Sequence, residues 1–311
     1  MTLWERHSSV AYGAIFIGVL GHASTEFVAI LSGIGGPEIS VWRFLLGGFG
    51  LVLVELALPG SRNLIAPLQA HFWRIVRLSR LGVTIAYLLF HWSLDFASVP
   101  QIATLVTTIP IFVGLANLMI NRQPLSKAKI ASGLCALIGI GLLIADGYVA
   151  KLTGSSDSLP GIFMALGTAA SVAVYSVLIR PLAGEYGALR ITALTMFIDA
   201  IGLSLIVGFF FDIWVSTDRL TSMPNEALIA LLVIAFWNTT ITQFLWIGGL
   251  ATVPNITRGS YIFFLKPVIA AVLAIWFLDQ VPTGIQVLAI VVIAASVTVE
   301  VLVPKFRPAP P

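Results

Sequence analysis

His22 and Glu26 stand four residues apart in "IGVLGHASTEFVAILSG", residues 17–33, an otherwise apolar run. On a helix that spacing puts a base and an acid on one face. Such a pair can exchange a proton near neutral pH, or it can tie its helix to a neighbour. Thr84, Tyr87, His91 and Asp95 follow at spacings of 3, 4 and 4 and form a polar stripe along a second apolar segment. In "FWNTTITQFLW" Thr239, Thr242 and Trp246 share a face, with Trp237, Asn238 and Gln243 beside it. That mixture of donors, acceptors and aromatic surface suits a ligand with an ammonium, a carboxylate and an apolar side chain. Lys266, just before Pro267, and Asp199 are further ionisable residues in apolar runs. Lys266 could meet a carboxylate or pair with an acid. Each group also has a structural reading, as interhelical hydrogen bonds or a buried ion pair. Arg43 is expected to snorkel from the outer end of its segment.

The elements that must position these groups follow from composition. The chain has 311 residues, 58% hydrophobic and 10% charged, with mean hydropathy +1.00. Soluble domains carry about 25% charged residues, so this chain cannot coat a globule with polar surface. Cys135 is the single cysteine, which excludes an internal disulfide. The first apolar run continues past "GHAS" to Leu31, too long for a signal-peptide core, and is expected to remain as a span. A spanning helix needs about 20 apolar residues. Ten segments qualify: 9–31, 38–58, 79–96, 99–120, 127–147, 159–182, 189–211, 226–249, 256–278 and 283–303. Residues 64–78, shorter and basic, read as a helix lying on the membrane surface. With the N-terminus inside, thirteen Lys and Arg residues fall in inside segments. Only Lys151 and Arg219 fall outside, while Arg43 and Lys266 lie within spans. That asymmetry places both termini in the cytoplasm.

Ten spans divide into two fives, and a five-span half must be inserted upside down when duplicated. Residues 99–123 and 253–280 both contain V-P-x-I, a mid-helix proline, and a glutamine thirteen residues beyond it, Pro110 to Gln123 and Pro267 to Gln280. The fold expected is all-α: ten transmembrane helices as two inverted repeats, 1–150 and 151–311. Inverted repeats with a midplane site mark secondary transporters.

The layout resembles the drug/metabolite transporter superfamily in its ten-helix EamA-like branch. The resemblance rests on "PEISVWRFLLGG", "HWSLDFASVPQIATLVTTIPIF", "ASVAVYSVLIRPLAG" and "GLATVPNITRGSYIFFLKPVIAAVLAIWFLDQVPTG". Family members usually carry Trp-Gly where this chain has "GHAS", and Glu where Gln123 and Gln280 stand, which suggests a distinct subgroup. The intramembrane histidine and the many tryptophans look most like the YddG-type aromatic amino-acid exporters. The resemblance implies a central cavity lined mainly by spans three, four, eight and nine. The residues expected to bind substrate are Tyr87, His91, Thr104, Trp237, Asn238, Thr242, Gln243, Trp246, Tyr261 and Lys266. Those expected to carry a proton or gate the path are His22, Glu26 and Asp199.

The function expected is export of amino acids, aromatic or large and neutral, across the inner membrane by alternating access. The alternative within transport is a lipophilic drug or other small metabolite. A sugar phosphate would call for several cavity cations, and only Lys266 and Arg43 are in reach. A membrane-embedded lipid-modifying enzyme would need converging carboxylates or a metal set. No Walker loop, HExxH or cysteine cluster occurs, so no enzyme activity, cofactor or metal is expected. The partners expected are the small-molecule substrate and the bilayer, without nucleic acid, and the chain is read as a monomer.

Overall fold

A computed structural model describes residues 8–58, 60, 62–125, 127–152, 157–253 and 261–302; side chains are described at all of these except 8, 128, 129, 251, 261, 264 and 296–302. Among the described residues all regular structure is helical. The helices are α1 (Ser8–Leu31), α2 (Gly36–Ala57), α3 (Ile65–Ser79), α4 (Ala86–Ser93), α5 (Val99–Val106), α6 (Ile109–Asn121) and α7 (Lys127–Leu152). They continue as α8 (Leu159–Tyr186), α9 (Ala188–Phe211), α10 (Thr217–Ser222), α11 (Asn225–Leu232), α12 (Thr242–Thr252), α13 (Lys266–Leu278) and α14 (Gly284–Leu302). π-turns join α3 to α4 (Arg80–Ile85) and α11 to α12 (Val233–Ile241), and a 3₁₀ turn (Tyr261–Leu265) leads into α13.

Among the described residues seven helical stretches are long and apolar enough to cross a membrane, and Lys266–Leu278 and Gly284–Ala295 are shorter apolar helices. The outward faces are apolar as well: Met119, Phe210, Phe209 and Trp276 are 82%, 80%, 75% and 75% exposed. A bundle apolar inside and out belongs in lipid, where helices satisfy every backbone group internally. The protein is a multi-pass membrane protein.

Several boundaries differ from the sequence reading. The helix expected on the membrane surface, 64–78, is not separate: α3 runs through the π-turn into α4, bending at His71 (φ −137°, ψ 27°). The third segment ends at Ser93 rather than 96. The sixth runs through Pro181 to Tyr186 without a break. Residues 254–260, which hold most of the second V-P-x-I motif, lie outside the described residues.

The fourth segment is two helices. Pro110 has no N–H to give, so α5 stops and α6 begins around Thr107 and Thr108. Their hydroxyls donate to Ala103 O (2.7 Å) and Leu105 O (2.6 Å), satisfying carbonyls at the break. The glutamine spacing now has a backbone reason. α6 and α13 both end in a left-handed residue, Arg122 (φ 53°) and Asp279 (φ 54°). The next N–H, of Gln123 or Gln280, then returns to Asn117 O (3.3 Å) or Ala274 O (3.1 Å). Further, Trp92 and Trp246 both stand seven residues before V-P, at Val99 and Val253, and each half places a π-turn N-terminal to that tryptophan.

Packing repeats the theme. α1 packs on α12 and α13, as α8 packs on α4, α5 and α6. α2 against α9 and α7 against α14 are pairs between equivalent helices. Exchanging the halves leaves this pattern unchanged. The largest core cluster lies between the halves, joining Val28, Ile39, Phe90, Ile102, Ile234 and Ala270 among others.

Candidate functional site

The polar residues converge where α1, α2, α4, α12 and α13 meet. α1 approaches the π-turn closely at Gly21, where a Cβ would lie 1.8 Å from Thr242 Oγ1. The Gly21 carbonyl accepts from Asn238 Nδ2 at 2.6 Å, and Ser24 Oγ lies 2.8 Å from the same nitrogen. The π-turn shifts carbonyls out of α-helical register, and threonines take them up. Thr239 Oγ1 donates to Ile234 O (2.9 Å) and Thr242 Oγ1 to Trp237 O (2.7 Å), both five residues back. Such turns gather at functional sites.

Into this turn points Arg43, 1% exposed. Its Nε donates to Thr239 Oγ1 (2.7 Å), Nη1 to His91 Nε2 (3.1 Å) and Nη2 to Asn238 O (3.3 Å). Its guanidinium carbon lies 5.2 Å from the Tyr87 ring centroid. Because arginine only donates, His91 Nε2 must accept, and His91 carries its proton on Nδ1, 2.8 Å from Ser40 Oγ. The snorkelling expected of Arg43 is therefore wrong. It lies two turns inside α2, where neutral oxygens and an imidazole lone pair replace water.

One helix away, Lys266 Nζ lies 2.5 Å from Glu26 Oε1, the two side chains 4% and 0% exposed. Lys266 also sits 5.6 Å from the Phe90 ring centroid and 6.0 Å from that of Phe263. The pairing of Glu26 with His22 expected from spacing does not form. α13 brings a full cation to Glu26, which outcompetes an imidazole. The His22 ring packs instead edge-on against Trp246 (5.8 Å) and Phe263 (5.6 Å). Glu26 is in the core.

The stripe on the third segment is divided among three neighbours. Thr84 bonds Asp199, Tyr87 and His91 meet Arg43, and Asp95 accepts from Gly36 N with both oxygens at 3.2 Å. Asp199 is thus away from His22 and Glu26, in a second cluster completed by Arg80 at 3.2 Å. Thr104 is buried and bonds Pro100 O in its own helix (2.6 Å), so it brings no free hydroxyl to the centre. Gln243 is buried beside Thr242. Trp237 is half-buried and contributes its carbonyl. The Tyr261 side chain lies outside the described residues. Sequence reasoning left Arg43, Ser40, Ser24, Phe90 and Phe263 out of the site. Arg43 and Ser40 sit three apart on one face of α2, which was a readable signal; Phe90 and Phe263 carried none.

Two features lie toward one end of the bundle. A cavity of about 580 Å³ opens between the 94–98 turn, α7 and the 279–283 turn, lined by Asp95, Gln101, Asp146, Gln280 and Gln286 among others. Asp146 accepts from Thr283 Oγ1 (2.8 Å) and Gln286 Nε2 (2.7 Å). Nearby, Arg219 of α10 grips Glu38 with Nε (3.1 Å) and Nη2 (3.2 Å), and this hydrogen bonding holds the Arg219 guanidinium above its ordinary pKa. No group of three or more His, Cys, Asp or Glu fit for a metal occurs among the described residues.

The model of the EamA-like transporter family matches residues 9–145 and again 159–302. The chain belongs to the EamA-like transporter family. The double match agrees with the exchanged packing of the two halves, and membership makes the protein a membrane transporter of the drug/metabolite type. A solved crystal structure, described only as that of a protein, is similar over 96% of this chain and 99% of its own, with TM-score 0.67 at 18% identity. That likeness concerns the fold alone. The comparison with curated proteins found no match.

Proposed function

We propose that this EamA-like transporter is an inner-membrane secondary exporter of amino acids with aromatic or large neutral side chains. On this reading ten spans form two inverted five-helix repeats, 1–150 and 151–311, with both termini cytoplasmic. The halves rock about the central cluster in alternating access. The cavity beside Asp146 and Gln280 is then the outward vestibule.

The observation that carries the substrate class is the charge balance at the centre. Arg43 and Lys266 are both buried, and Glu26 answers Lys266. No carboxylate pairs with Arg43 among the described residues; its partners are neutral. A buried, unneutralised cation creates a local potential that favours an anion. The rings of Trp246, Phe263, Phe90 and Tyr87 around the same point supply apolar surface. A carboxylate attached to a large apolar group fits both features.

Counterflow in proteoliposomes tests this. Phenylalanine, tryptophan and leucine are expected to exchange, and lysine and aspartate to fail. Exchange of lipophilic cations with no exchange of any amino acid overturns the reading and favours drug export.

A further inference from the structure

Three buried polar atoms in the central cluster have no hydrogen-bond partner, Asn238 Oδ1 from the π-turn and two from α1. His22 Nε2 and Glu26 Oε2 make no hydrogen bond. Both sit on one face of α1, a turn apart. Glu26 is 0% exposed, and its other oxygen is already spent on Lys266. A buried unpaired acceptor costs roughly 1–3 kcal/mol, more for a charged group. Two orphans side by side, next to aromatic rings, are what a site missing its ligand looks like.

The chemistry of the missing group follows from the atoms. A carboxylate oxygen only accepts. His22 Nε2 can accept when the proton is on Nδ1. The ligand group must therefore donate at least two hydrogen bonds, and a positive charge suits the free carboxylate oxygen of Glu26. The His22 ring lies among Trp246 and Phe263, whose own centroids are 5.2 Å apart, and such ring faces attract a cation. A protonated primary amine meets every requirement.

We propose that His22 Nε2 and Glu26 Oε2 form the receptor for the ammonium group of the transported substrate. Glu26 then bridges two cations, Lys266 and the substrate amine. This rests on the amino-acid reading for the rest of the ligand: the carboxylate is drawn toward Lys266 and Arg43, the side chain toward the rings. His22 and Glu26 become binding groups that select an amine.

Counterflow with phenylalanine, 3-phenylpropionate and phenethylamine separates the ends of the ligand. The wild type is expected to favour phenylalanine over 3-phenylpropionate by about tenfold or more. Glu26→Gln removes the charge. His22→Phe keeps the ring packing and leaves the Glu26–Lys266 pair intact, so it serves if Glu26→Gln fails to fold. Each is expected to bring the preference close to one, with 3-phenylpropionate flux retained. A folded His22→Phe protein with undiminished preference overturns the receptor. Equal wild-type flux of phenylalanine and 3-phenylpropionate also overturns it while leaving the carboxylate reading intact. Transport of phenethylamine without phenylalanine keeps the receptor and removes the amino-acid reading. No flux of any of the three overturns both.

Discussion

Gln280 accepts a hydrogen bond from the backbone N–H of Val99 at 2.9 Å, whereas Gln123, at the equivalent place in the other half, is exposed. Val99 is the first residue of α5, so its N–H has no partner within the helix. The glutamine thus caps the helix from another element. Gln280→Ala is expected to cost about 1–3 kcal/mol, because the Val99 N–H stays covered. Gln280→Glu keeps an acceptor and should cost less. Thermal unfolding in detergent checks the order; equal stability of the wild type and Gln280→Ala would show that water replaces the glutamine.

The Glu26–Lys266 pair predicts a non-additive result. Removing one partner leaves the other charge buried and should cost about 3–5 kcal/mol. The combined change Glu26→Gln with Lys266→Met should be more stable than either single change. Unfolding midpoints of the four proteins give the coupling, and additive losses would refute it.

Gly36 is a packing constraint. A Cβ there would lie 2.3 Å from His91 O and 2.5 Å from Trp92 Cα, both backbone atoms that cannot swing away. Gly36→Ala should push α2 from the end of α4 and break the Asp95 contact, at about 1–3 kcal/mol. A mutant with unchanged melting temperature contradicts this packing.

Arg219 makes a weak, salt-sensitive contact. Its side chain is 55% exposed, so the pair with Glu38 is worth at most about 1 kcal/mol after solvent screening. The raised pKa keeps Arg219 charged up to strongly alkaline pH, so its share is present at neutrality and lost only as pH rises through that range. Arg219→Ala should destabilise slightly at low salt and not at high salt, as unfolding in the two buffers would reveal.

The proposed orientation makes a topological prediction. A C-terminal reporter should be active only in the cytoplasm. Activity outside the cell would require an odd number of spans.

The membrane class was legible because it depends on composition, which no tertiary contact can alter. Helix existence was legible for the same reason: in lipid, an apolar run of sufficient length has to bond its own backbone. The repeat was legible through Pro110, Gln123, Pro267 and Gln280, since prolines and left-handed caps act locally. What the sequence could not decide was partnership. Spacing put His22 and Glu26 on one face, yet which group Glu26 meets depended on where α13 brings Lys266, 240 positions away along the chain. Arg43 looked like a residue near a helix end. Only the crossing of α2 over a π-turn offered it Thr239, Asn238 and His91, because carbonyls freed by that turn exist in the folded backbone and not in the residue order. The stripe from Thr84 to Asp95 read as one surface; two different helices, α2 and α9, divided it. Local geometry is written in consecutive residues, while the neutralisation of a buried charge is decided by whichever distant chain arrives within about 3 Å of it.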